Sequence, residues 1–124
     1  MRTMAIIVAM CLALLLGPRA LLGHQPLTLE VAPVVVPAPG FLTIRALIEA
    51  DADNRSLEVV AQSDDYTRSS TIDLDGDRAP RLAVFEYRDL PSGHYEVTAC
   101  LTGAHGRRAG ASRWVIVVPT PGRR

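Results

Sequence analysis

Lysine is absent from this 124-residue chain, and all thirteen of its basic residues are arginine. Thirteen acidic residues balance them, so the formal net charge is zero and no strongly basic surface is on offer to nucleic acid. Cysteine occurs only at Cys11 and Cys100, too seldom for a disulfide framework. Aromatic residues are confined to Phe41, Tyr66, Phe85, Tyr87, Tyr95 and Trp114, fewer than a face of several stacked aromatics for polysaccharide would use. The chain is too short for a (β/α)8 barrel or a two-domain dinucleotide enzyme. At 48% hydrophobic residues, it is too apolar to be wholly disordered.

The longest apolar run is residues 5–16, AIIVAMCLALLL, preceded by Arg2 and ended by Gly17-Pro18. As a helix these residues reach about 18 Å, well short of the ~30 Å hydrocarbon core. That length predicts a secretory leader over residues 1–23, cut after Gly23 with Leu21 at −3, or after Ala20 with Pro18 at −3. A retained anchor over residues 5–22 would have to hold Arg19 inside it. Cys11 follows Met10 rather than the small residue that lipid modification needs. The chain is therefore expected outside the cytoplasm, periplasmic or extracellular, meeting the membrane only through its leader. Without residues 1–23, eleven arginines face thirteen acids, a net of −2. Residues 120–124, with Arg123 and Arg124, are expected to form a flexible tail, leaving the body near −4. That sign disfavours anionic membrane as well as nucleic acid.

Downstream of the leader, short alternating or β-branched runs recur between turn signals, the pattern of a β-sandwich or small barrel, and their number in about 100 residues fits two packed sheets. Seven strands are expected. The first, residues 27–36, is interrupted by Pro33 and so belongs at a sheet edge. The second, 41–49, turns Leu42, Ile44, Ala46 and Ile48 one way; the third, 55–63, turns Leu57, Val59 and Ala61 inward. The others are 67–74, 81–88, 94–102 and 112–118, with Trp114 read as core. In the sixth, Tyr95, Val97, Ala99 and Leu101 form the inward set, which turns Cys100 outward with Glu96 and Thr98.

The junction Leu90-Pro91-Ser92-Gly93-His94-Tyr95-Glu96-Val97 places a tyrosine just after a glycine turn, at the start of a strand. It resembles the tyrosine corner of immunoglobulin-like sandwiches. The resemblance implies an inward-packed ring whose hydroxyl bonds back to upstream backbone, with Gly93 and Leu90 as structural neighbours of Tyr95. Val97 stands where antibody domains carry a cysteine. Residues 27–119 thus resemble disulfide-free immunoglobulin-like or fibronectin-III-like domains of exported bacterial proteins: all-β, seven-stranded and antiparallel.

Three constellations could carry chemistry. Cys100 and His105, five apart after a Gly-x-Tyr strand, resemble the copper loop of cupredoxins, which implies copper held by a thiolate and two histidines. His94 stands too far along the same strand as Cys100 to supply the second imidazole, and His24 lies near the expected cleavage site. Asp73, Asp75 and Asp77 echo a calcium loop, which Asp51, Asp53 or Asp64 could complete, although position twelve is Val84 rather than glutamate. Aspartate beside Gly76 also suits a plain turn. Ser69 and Ser70 lie in no nucleophile elbow, so no hydrolytic set assembles and no cofactor is implied.

The expectation is a non-catalytic exported immunoglobulin-like module that binds a protein partner or is structural in the cell envelope. Strand addition would use residues 31–36 or 67–74. An outward Cys100 thiol could in addition join two copies by a disulfide. The alternative is a metal-binding sandwich, with copper at Cys100 and His105 or calcium at the acidic turns.

Overall fold

A computed structural model describes residues 25–120. The leader over residues 1–23, its two cleavage points and the tail beyond Thr120 lie outside the described residues. Eight strands are present among them: β1 (Leu27–Ala32), β2 (Val35–Pro37), β3 (Gly40–Ile48), β4 (Asn54–Gln62), β5 (Thr67–Asp73), β6 (Leu82–Leu90), β7 (Gly93–Gly103) and β8 (Gly106–Val118). They form two sheets, one ordered β1-β3-β6 and the other β2-β8-β7-β4-β5. A single 3-10 turn, Gly76–Arg78, links β5 to β6. No helix among the described residues is long and apolar enough to cross a membrane.

The all-β sandwich follows from alternation. Leu42, Ile44, Ala46 and Ile48 on β3, Leu57, Val59 and Ala61 on β4, and Tyr95, Val97, Ala99 and Leu101 on β7 all point into one core. Each large aliphatic buried there contributes roughly 1.5–3 kcal/mol, and the core closes with no disulfide among the described residues.

Three expectations of strand layout are corrected: the number of strands, which is eight among the described residues rather than seven, their wholly antiparallel pairing, and the start of the last one. The first run makes two strands rather than one. Pro33 withholds a backbone donor, and on either side of it β1 pairs antiparallel with β3 while β2 crosses to the other sheet. There β2 runs parallel to β8, so the sandwich is not wholly antiparallel. Both pieces are edge strands. The last strand starts at Gly106 rather than 112, and its first half puts only the small residues Ala109 and Ala111 into the core, so it lacks the run of large apolar residues that marks the second half. Thr120, expected in the tail, donates its hydroxyl to the Ala38 carbonyl.

Two side chains, Tyr87 and Arg68, tie the sheets together. On β6, the Tyr87 hydroxyl lies 3.2 Å from the Val59 carbonyl and 3.0 Å from the Ser70 hydroxyl, able to donate to the first and accept from the second. From β5, Arg68 donates to the Arg88 carbonyl at 2.7 Å and lies over the Tyr87 ring. Opposite Phe41, β6 carries two residues, Arg88 and Asp89, and Asp89 takes φ 60°. This is a β-bulge with aspartate in the left-handed region that glycine prefers.

Candidate functional site

At one end of the sandwich, the β3–β4 loop meets the β7–β8 hairpin. Arg108, on β8, donates to the Asn54 side-chain carbonyl and, at 3.0 Å, to Asp51 Oδ2; its Nε lies 3.8 Å from Asp53 Oδ2. Asp51 Oδ1 accepts the Asp53 backbone N–H at 2.7 Å, and Asp53 Oδ1 accepts that of Ala104 at 3.0 Å. Asn54 is 1% exposed and donates to the Glu49 carbonyl at 2.9 Å. Gly103 makes room: a Cβ there would collide with the Asp53 carboxylate and lie 2.9 Å from Arg108 Cδ. The guanidinium thus satisfies a buried amide and two carboxylates together, which closes the loop onto the hairpin.

The clasp occupies two of the acids expected to complete a calcium loop. Asp51 and Asp53 already face a fixed cation. Asp73, Asp75 and Asp77 are exposed, spread over the end of β5 and the 3-10 turn. Gly76 enters that turn at φ +55°, with its Cα side against the Ala52 carbonyl, so the aspartates flank a tight backbone approach. For copper, Cys100 lies within β7, while His105 sits exposed in the hairpin turn. Among the described residues no group of three or more His, Cys, Asp or Glu is placed to hold a metal ion.

Cys100 keeps the outward phase but is only 6% exposed. Strand β7 is interior to the five-stranded sheet, and in register Cys100 lies between Glu58 on β4 and Gly110 on β8. Outward phase on an interior strand thus leaves the thiol covered rather than at the surface. Thr98, one step along the same face, is likewise buried, and its hydroxyl has no hydrogen-bond partner.

At the opposite end, Leu90 is fully buried, Gly93 opens β7, and the fully buried Tyr95 donates to the Pro91 carbonyl at 2.7 Å. Tyr66 meets the Tyr95 ring edge-on, with centroids 6.4 Å apart. Burial raises the pKa of the Tyr95 hydroxyl, as it does that of Tyr87.

Beyond this corner lies a groove of about 460 Å³ on the outer surface, lined by Gln62, Asp64, Asp65, His94, Glu96 and Trp114 among others. Trp114 is 63% exposed, which corrects its reading as core. Val115 and Val117 take the inward phase of β8, so Trp114 and Ile116 face out. The alternation Trp-Val-Ile-Val carries that signal once either valine is known to point inward; an apolar run by itself does not say which set does. Glu96 and Trp114 are partners in register, and Gln62 pairs with Glu96 from the other side. Ser112 donates to Glu96 Oε2 at 2.9 Å, which orients the carboxylate. Val34 and Val35 are also exposed, and Val35 lies in register with Ile116 beside this groove.

No protein-family profile matches the sequence, and neither does any curated protein. Solved structures do resemble it. A superoxide reductase (neelaredoxin) from Ignicoccus hospitalis superposes with a TM-score of 0.60 at 14% identity, over 77% of this chain and 81% of that one. A family 76 glycoside hydrolase from a bovine Bacteroides thetaiotaomicron strain superposes with a TM-score of 0.53 at 20% identity, over 76% of this chain but 20% of the hydrolase. At these identities the likeness is one of fold alone.

Proposed function

We propose that the chain is an exported, non-catalytic immunoglobulin-like module that binds a protein partner by strand addition. The observation that carries this reading is β5: a seven-residue polar strand at the outer edge of the five-stranded sheet, with β4 on one side and, among the described residues, no strand on the other. An open edge offers a row of backbone donors and acceptors to an extended segment. The immunoglobulin-like reading draws support from the split of β1-β3-β6 against β8-β7-β4-β5 and from the Tyr95–Pro91 bond. The non-catalytic reading draws support from where the reactive groups lie. Asp51 and Asp53 are engaged by Arg108, Cys100 is buried, and Ser70 Oγ is in contact with the Tyr87 hydroxyl.

The test has two arms. Fractionation of cells expressing the full chain is expected to place it outside the cytoplasm at the mass of a product lacking residues 1–23; full-length protein in the cytoplasm overturns export. A photo-reactive residue at Ser69, on the β5 edge, is expected to trap a defined protein adduct that the same residue at Thr28, on the other sheet, does not. Identical adduct patterns from the two positions overturn the edge as the docking surface.

A further inference from the structure

The β5 edge leaves the Trp114 groove unused, and that groove has a chemistry of its own. Gln62, Glu96 and Trp114 form one row across three neighbouring strands, in register, spanning about 10 Å at the usual strand spacing. The indole stands at one end of the row, exposed and without an aromatic or cationic partner among the described residues. Glu96 is held in place by Ser112, whereas no hydrogen bond or ion pair among the described residues engages the side chains of Gln62, Asp64, Asp65 or His94. The lining contains three carboxylates and no arginine.

An indole face carries negative quadrupolar charge and attracts polarised C–H groups. Carboxylates accept hydrogen bonds, and a carboxamide both donates and accepts. A ligand that uses the indole face, the carboxylates and the carboxamide at once presents a flat array of C–H bonds edged by hydroxyls, whereas a cationic side chain would meet the indole and the carboxylates but give the Gln62 amide no acceptor. The ligand must also be free of negative charge, since three carboxylates repel an anion. A pyranose ring has that form, and one exposed indole suffices to stack one ring, a smaller demand than the face of several aromatics that this composition does not supply. An apolar peptide side chain would satisfy the indole but leave Glu96 and Gln62 covered without hydroxyl partners. We propose that the Trp114 groove binds a neutral glycan, with a pyranose ring stacked on the indole and its hydroxyls held by Glu96 and Gln62. This inference rests on the reading of the chain as a binding module and adds a second ligand, at a site separate from the β5 edge.

Trp114 is the only tryptophan in the chain, so its emission reports on the groove alone. The full exported chain is titrated with maltohexaose, cellohexaose, mannohexaose and chitohexaose, and with hexagalacturonate as the anionic counterpart. At least one neutral hexasaccharide is expected to shift the emission saturably, and the anionic one is not. By calorimetry, Trp114→Ala is expected to abolish the binding heat and Glu96→Gln to weaken affinity about ten-fold, both with melting temperatures near that of the parent. The proposal is overturned if no neutral hexasaccharide moves the emission, if the anion binds as well, or if Trp114→Ala binds unchanged. It is equally overturned if a cross-linker at position 114 traps only a protein. Cleavage of the bound sugar, seen by mass spectrometry, sinks the non-catalytic reading while supporting the groove. A silent groove leaves the β5 experiment to stand or fall by itself.

Discussion

At one end of the sandwich Asp51, Asp53 and Asn54 close on Arg108; at the other, Glu96, Asp64, Asp65 and Gln62 stand around an exposed indole. The residue types are nearly the same and their employment is opposite. Where the facing strand supplies a guanidinium, carboxylates become part of the fold. Where it supplies a tryptophan, they remain available to a ligand. An acidic run in a sequence is therefore uninformative until its opposite number across the sheet is known.

The largest expected effect sets the two ends apart. Arg108→Ala strips the partner from Asn54, which is buried, and should lower stability by about 2 kcal/mol. Trp114→Ala, at an exposed position, should change it by less than about 0.5 kcal/mol. Comparable losses in chemical denaturation would erase the distinction between a structural end and an available one.

Next comes the corner beneath the groove. Tyr95→Phe removes the bond to Pro91 and should lower stability by about 1 kcal/mol near neutral pH. Burial raises the Tyr87 and Tyr95 hydroxyls above their ordinary value near 10. The unfolded chain therefore releases protons there that the folded chain retains. Stability is fully present below pH about 10 and falls as pH rises past it. Tyr95→Phe removes one of the two contributions, so its alkaline slope should be shallower than the parent's; parallel slopes would mean that Tyr95 titrates alike in both states.

A change of similar size and opposite sign is expected midway between the ends. Thr98 buries a hydroxyl without a partner, so Thr98→Val should raise stability by about 1 kcal/mol, a gain of several degrees in melting temperature for a domain of this size. A loss instead would place a bound water at that hydroxyl. Smallest is Asp89→Gly, which relieves a left-handed aspartate at the bulge and should gain about 0.5 kcal/mol; a destabilised variant would show that the aspartate is held by more than its backbone geometry.

Much of the fold could be read from residue order. Alternation on β3, β4 and β7 assigned Leu42, Ile44, Leu57, Val59, Tyr95 and Val97 to the core, where they lie. The site was harder to read. Period two separates two faces but does not say which face a neighbouring strand shades, so Cys100 has outward phase and is nevertheless buried. In an apolar run it does not say which alternate set faces in, so Trp114 reads as core from the sequence and is exposed in the fold. The ion pair of Asp51 with Arg108 spans 57 residues of chain, beyond the reach of any local pattern.

By itself, residue order determined the alternating strands and the tyrosine placed just after its glycine turn, because backbone pleat and turn geometry are local properties. Tertiary structure alone decided that the first run would divide between two sheets, that β2 would run parallel to β8, and which carboxylates would meet a guanidinium. Those outcomes depend on which strands become neighbours, and neighbours in a sandwich are chosen by the closing of the whole core.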